Sequence, residues 1–125
     1  MPNITKPQAA HLQRGKQAEQ FAHDYLLSQG LLTIARNFRC PYGELDLIMR
    51  EGQTLVIVEV RYRKNNLYGG ALESITRTKQ QRILTTTAFY LNQYNIDCPI
   101  RFDVIAITAN NQLQWLQNAF TNDVY

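Results

Sequence analysis

Two apolar rhythms take turns along this chain. From His11 to Gln29 the spacing is helical: Ala18, Phe21, Ala22, Tyr25 and Leu26 form one stripe, and Gly30 follows as a terminator. Strand-like runs come next, at Leu31–Phe38, Gly43–Arg50 and Thr54–Tyr62, the first with imperfect alternation. Asn65, Asn66, Gly69 and Gly70 mark a loop. Ser74 is placed to cap a second helix running to about Gln93, with Ile83, Leu84, Ala88 and Leu91 facing inward. Ile100–Thr108 reads as a strand, Asn110-Asn111 as a turn and Gln112–Leu116 as a candidate last strand. Residues 1–10 carry Pro2 and Pro7 and little periodicity, which predicts a flexible N-terminal arm before a single domain over 11–125. The order α-β-β-β-α-β, with one more strand if 112–116 pairs, predicts an α/β fold: a mixed sheet flanked by helices.

The strand pattern contains two residues that sheet formation does not explain. Asp46 and Glu59 each sit mid-strand among Leu, Ile and Val. Glu51-Gly52-Gln53-Thr54 fits a two-residue hairpin of type II′, with Gly52 first. In that register Asp46 faces Glu59 and Glu44 faces Arg61, and facing residues lie roughly 5 Å apart. Two like charges in direct opposition are destabilising, and burial makes ionising both harder. A bound cation removes both objections, and carboxylate oxygens suit hard ions such as Mg²⁺ or Mn²⁺. Glu44 has a simpler use as a cross-strand partner of Arg61. Glu19, at the margin of the first helix's apolar stripe, is either an exposed helix charge or a third carboxylate delivered to the pair. Asp103, in RFDVIAI, reads as a salt-bridge partner of Arg101 or another base.

Composition narrows the classes. The chain has 125 residues, enough for one domain with a core, and no apolar run of membrane-spanning length. Its N-terminus has no apolar signal core, and Cys40 and Cys98 lack metal or redox spacing. Together these predict a cytoplasmic protein with reduced thiols and no membrane partner. Net charge is +3 with a pI near 9.0. Arg14 and Lys16, then Arg61, Arg63 and Lys64, then Arg77, Lys79 and Arg82 fall in three segments. If these converge they form a basic rim around the acids; otherwise they are scattered solubilising charge.

Several motifs in order carry a resemblance: GKQAE at 15–19, RNFRCPYGELDLI at 36–48, VIVEVRYR at 56–63, YGGA at 68–71, TKQ at 78–80 and RFDVIAI at 101–107. This series resembles the bacterial YraN-like family of uncharacterised proteins, from about residue 11 to 120. The resemblance implies the restriction-endonuclease-like fold of PD-(D/E)XK nucleases, and the pattern is also similar to archaeal Holliday-junction resolvases. By that likeness Glu19 matches the helix glutamate, Asp46 the strand aspartate and Glu59 the acid of the (D/E)XK step. Arg61 occupies the lysine position, and the leading proline of the motif name is absent.

The resemblance thus implies a metal-dependent endonuclease acting on nucleic acid, with DNA the expected partner. Asp46, Glu59, the Val60 carbonyl and Glu19 would hold Mg²⁺ or Mn²⁺. Arg61 would orient the scissile phosphate, and Arg14, Lys16, Arg63, Lys64, Arg77, Lys79 and Arg82 would hold the nucleic-acid backbone. Resolvase-like cutting would further require a homodimer. Arginine cannot serve as a general base. Lys79 either supplies an ammonium from another backbone position or belongs to a solvated helix face. A nuclease fold that binds nucleic acid without cutting it, and a protein-interaction module, are the alternatives.

Overall fold

The strand Thr54–Arg63 is the axis of the fold, and its sequence shows why. Leu55, Val56, Ile57 and Val58 are all buried, the continuous apolar run expected of a strand covered on both faces. A computed structural model describes residues 6–64 and 70–121. Its elements are α1 (Lys6–Ser28), β1 (Leu32–Cys40), β2 (Gly43–Glu51), β3 (Thr54–Arg63), a 3₁₀ turn (Leu72–Ser74), α2 (Arg77–Gln93), β4 (Ile100–Thr108) and β5 (Leu113–Phe120). The sheet runs β1-β2-β3-β4-β5. β3 and β4 are parallel, with α2 in the crossover between them, and the other three pairs are antiparallel. The architecture is the expected mixed sheet with helices, in the order α-β-β-β-α-β-β.

Each helix seals one apolar face. Ala18, Ala22 and Leu26 of α1 pack with Leu47, Met49, Val56, Val58, Ile105 and Ile107. Ile83 and Tyr90 of α2 pack with Leu45, Ile48, Ile57, Phe102, Val104 and Phe120. Two stripe assignments need correction. Phe21 is 41% exposed rather than inward. The buried face of α2 is Ile83, Thr86, Thr87 and Tyr90; Leu84 and Leu91 pack half-buried against the same core, as expected, while Ala88 is exposed. Threonine is tolerated there because the Thr87 hydroxyl donates to the Ile83 carbonyl at 2.7 Å, and because Thr86 meets a glycine.

That glycine is Gly43, at φ +151°, where an added Cβ would stand 2.9 Å from Thr86 Oγ1. Its bare backbone lets the start of β2 lie close against α2.

Several boundaries moved. α1 begins at Lys6, so residues 6–10 are helical rather than part of the arm; Pro7 is compatible with a first helical turn, whose amides have no acceptor within the helix. Residues 1–5 lie outside the described set. The cap of α2 is Thr76, whose hydroxyl accepts from the Lys79 amide at 3.1 Å; Ser74 instead ends the 3₁₀ turn. β5 continues to Phe120, which stacks on Phe102 at 5.1 Å between ring centroids.

Candidate functional site

The hairpin forms in the expected register and then opens where the acids stand. Gly52 has φ +60° and Gln53 is not among the positive-φ residues, the type II′ signature. Glu51↔Thr54 through Leu47↔Val58 pair as predicted. There the β2–β3 ladder ends. β2 continues along β1 to Cys40↔Gly43, and β3 along β4 to Arg63↔Thr108. Asn37, opposite this step on β1, takes a left-handed φ of +54°. Leu45 joins the α2-side cluster together with Ile48, so the inside–outside alternation of β2 slips once between them.

Asp46 occupies the gap. Its Oδ2 accepts the Val60 backbone amide at 2.9 Å, which satisfies a donor freed by the parting strands. The Asp46 and Glu59 carboxyls lie near enough for each to shift the other's pKa, although their backbones are not paired. Glu59 is 5% exposed. Burial, and then the charge of Asp46, push its pKa up to about 8, against the weaker pull of Lys79. Burial also raises Asp46, opposed by the Val60 amide. Burial and the neighbouring carboxyl thus favour the protonated forms over two adjacent buried charges.

Two further charges frame the pair. Lys79 Nζ, from the first turn of α2, lies 3.6 Å from Glu59 Oε1. Glu19, from α1, is raised by burial and by the charges of Asp46 and Glu44. Among the described residues, however, no three His, Cys, Asp or Glu side chains gather closely enough to hold one ion. A hard cation here would meet Asp46 and Glu59, with Glu19 at longer range. Two carboxylates completed by water suit Mg²⁺, which is commonly held by one or two carboxylates. The two neighbouring carboxyls are held from outside, Asp46 by the Val60 amide and Glu59 by Lys79, and supply the hard oxygen donors such an ion takes, so the donor set fits it.

Other expected roles sort differently. Glu44 pairs with Arg39 at 3.3 Å, its neighbour on β1, and not with Arg61, because β2 has already left β3. Arg61 is half-buried and contributes a favourable charge at Glu59. Asp103 is structural. Arg101 grips it with two hydrogen bonds of 2.9 Å and reaches Glu51 at 2.7 Å, while Trp115 Nε1 and the Asn118 amide each donate at 3.0 Å. Both Asp103 oxygens are thus satisfied without a ligand.

The basic segments lie on both sides of the sheet. Arg14 lines a cleft of about 390 Å³ with Phe21, Tyr62, Thr108 and Asn111 on the α1 side. Lys16, Lys64, Arg77 and Arg82 are exposed, and Arg63 Nη1 donates to the Gly70 carbonyl at 3.1 Å. Of the eight, the structure brings Lys79 to within ion-pair distance of the acids. Arg36 and Arg39, which sequence reasoning did not single out, stand near enough to Glu19 to lower its pKa. Their signal was the RNFR spacing once β1 is paired to β2. Cys40 and Cys98 are free. None of the described helices is long and apolar enough to cross a membrane.

The profile of uncharacterised protein family UPF0102 matches residues 18–107. The chain belongs to this family. A UPF0102 protein of Saccharophagus degradans is 50% identical over 115 residues, covering 90% of this chain and 97% of that protein. One from Pseudomonas fluorescens is 49% identical over 117 residues, covering 91% and 98% respectively. One from Legionella pneumophila is 50% identical over 111 residues, covering 86% and 94%. The span matched to UPF0102 takes in Glu19, Asp46, Glu59, Arg61 and Lys79 and stops before β5.

Proposed function

We propose that this UPF0102 protein is a metal-dependent endonuclease with a restriction-endonuclease-like core, hydrolysing phosphodiester bonds in nucleic acid, with DNA the expected substrate. The observation that carries the reading is the buried Asp46–Glu59 pair at the point where β2 and β3 separate. Structural acids are normally paired with bases, as Asp103 is with Arg101. Here two buried acids stand beside each other with one base, Lys79, against them.

Mg²⁺ or Mn²⁺ between these carboxylates would supply charge neutralisation and an acidified water. The chain's own groups do the rest. The Val60 amide favours the charged form of Asp46 against burial and holds its carboxyl in the gap. Glu59, once deprotonated, would be the second carboxylate to hold the ion. Arg61, two residues on, orients the scissile phosphate through its planar guanidinium. Glu19 contributes negative charge from α1. Arg14, Lys16, Arg63, Lys64, Arg77 and Arg82 hold the nucleic-acid backbone without reading sequence.

Arg61 favours one alternative, a nucleic-acid-binding protein that does not cut, since arginine cannot take a proton from water. Incubation of the purified protein with Mn²⁺ and either linear or branched DNA separates the two. Cleavage that disappears in Asp46→Ala supports the nuclease. Salt-sensitive binding with no cleavage in any metal supports the alternative. Absence of DNA binding at low salt contradicts both and leaves a protein-interaction module. A preference for branched DNA would bring the reading closer to junction resolvases and would require a homodimer with two sites.

A further inference from the structure

One cation at the acid pair has a role the proposed reaction has not assigned. Lys79 is the ion-pair partner of Glu59 among the described residues, and none of them forms an ion pair with Asp46. The pairing is not a surface accident, because the Glu59 side chain is 7% exposed and that of Lys79 is 32% exposed. Lys79 therefore reaches from solvent into a nearly dry site.

Its approach is built into the fold. The Thr76 hydroxyl holds the Lys79 amide and so sets where α2 begins. Buried Ala71 and Ile75 anchor the preceding turn in the α2-side core, and Gln80 Nε2 donates to the Ile75 carbonyl at 3.2 Å. Two turns further along α2, Thr86 sits against Gly43, which keeps the helix close to β2. These contacts aim the lysine stem at Glu59.

We propose that Lys79 is an exchangeable counter-charge: it offsets the negative charge of the Asp46–Glu59 pair while no divalent ion is bound, and turns onto a phosphate oxygen of the substrate when one is. The inference rests on the nuclease reading above and deepens it. An ammonium and a divalent ion cannot both sit against Glu59 without strong repulsion at low effective dielectric. The flexible four-carbon stem and three rotatable donors of lysine allow the head to swing a few ångströms, which a planar guanidinium does less readily. The nearest new anion would be the phosphate being cut. Arg61 and Lys79 then divide the work: the guanidinium from β3 fixes orientation, and the ammonium from α2 follows the charge.

The test is titration of Mn²⁺ alone, at one fixed pH, into the wild type, Lys79→Met and Lys79→Arg, followed by single-turnover cleavage of DNA. Lys79→Met is expected to bind Mn²⁺ roughly fivefold to tenfold more tightly, because the competing cation is gone. The same variant is expected to cleave at least about tenfold more slowly, because the phosphate has lost a cation. Lys79→Arg keeps the charge and is expected to leave Mn²⁺ affinity within about twofold of wild type. A lysine with only a structural role would move affinity and cleavage together, or neither, and either result overturns the proposal. Should Lys79→Met fail to fold, Lys79→Gln carries the same expectation. A wild type that binds no Mn²⁺ through Asp46 overturns the nuclease reading and this one with it. A wild type that binds and cleaves, beside a Lys79→Met of unchanged affinity, overturns this inference alone.

Discussion

Val60 donates its backbone amide to Asp46 Oδ2 across 2.9 Å, one step beyond the last β2–β3 pair. The bond replaces a ladder hydrogen bond with a side-chain one. It lets the strands separate without leaving a bare amide, and it holds a carboxylate in the opening against its like-charged neighbour.

Asp46→Asn separates the two consequences. The amide oxygen can still accept from Val60, while the charge beside Glu59 disappears. The metal-free variant is expected to gain about 1 kcal/mol, or several degrees in melting temperature. It should lose the stabilisation that Mn²⁺ gives the wild type. Thermal melts with and without Mn²⁺ read both; a metal-free variant less stable than wild type would contradict the account.

Stability of the metal-free protein should fall as pH rises. Glu59 has an ordinary pKa of 4.5 when unfolded and about 8 in the fold, so between those values the folded state holds a proton that the unfolded state has released. Its favourable contribution is complete below the lower value and is lost as pH climbs through the upper one. Asp46 and Glu19 are raised as well and act in the same direction. Urea midpoints are expected to drop between about pH 4.5 and pH 8, and Glu59→Gln should flatten that slope. An unchanged slope in the variant would place the effect elsewhere.

Gly43→Ala should destabilise by about 1–3 kcal/mol, through overpacking against Thr86 and a φ that alanine rarely adopts. Thr86→Ala added to it should restore part of the loss, because the crowding atom is removed. Thr86 Oγ1 has no hydrogen-bond partner among the described residues, so its deletion sacrifices little polar contact. Denaturant melts of the two single variants and the double measure the coupling.

Arg101→Met probes the structural acid. It leaves Asp103, whose side chain is 0% exposed, without its bidentate partner, and is expected to cost about 3–5 kcal/mol. Mn²⁺ affinity measured on the folded variant should stay at the wild-type level. A change in metal binding would link Asp103 to the site.

The features legible in the sequence were those fixed locally. Glycine at position 52 sets a turn, the turn sets the register, and the register puts Ile48 and Ile57 on one face, as found. The end of that register could not be read from periodicity. It depends on β1 competing for β2 beyond Asp46, on a bulge between Thr33 and Ala35 and on the left-handed Asn37. That competition redirected Glu44 from Arg61 to Arg39. The α2 cap was misplaced because Ser74 and Thr76 are chemically alike as caps, and burial of Ile75 between them decides which is used. Lys79 was visible as a charge, but its distance from Glu59 is a tertiary fact, created by helix placement over the sheet.

Calorimetric titration of Mn²⁺ into the metal-free protein and into Asp46→Asn decides whether the buried acid pair holds a divalent ion. One saturable ion per wild-type chain and none in the variant is the expected result. Equal binding by both proteins, or none by either, would contradict it.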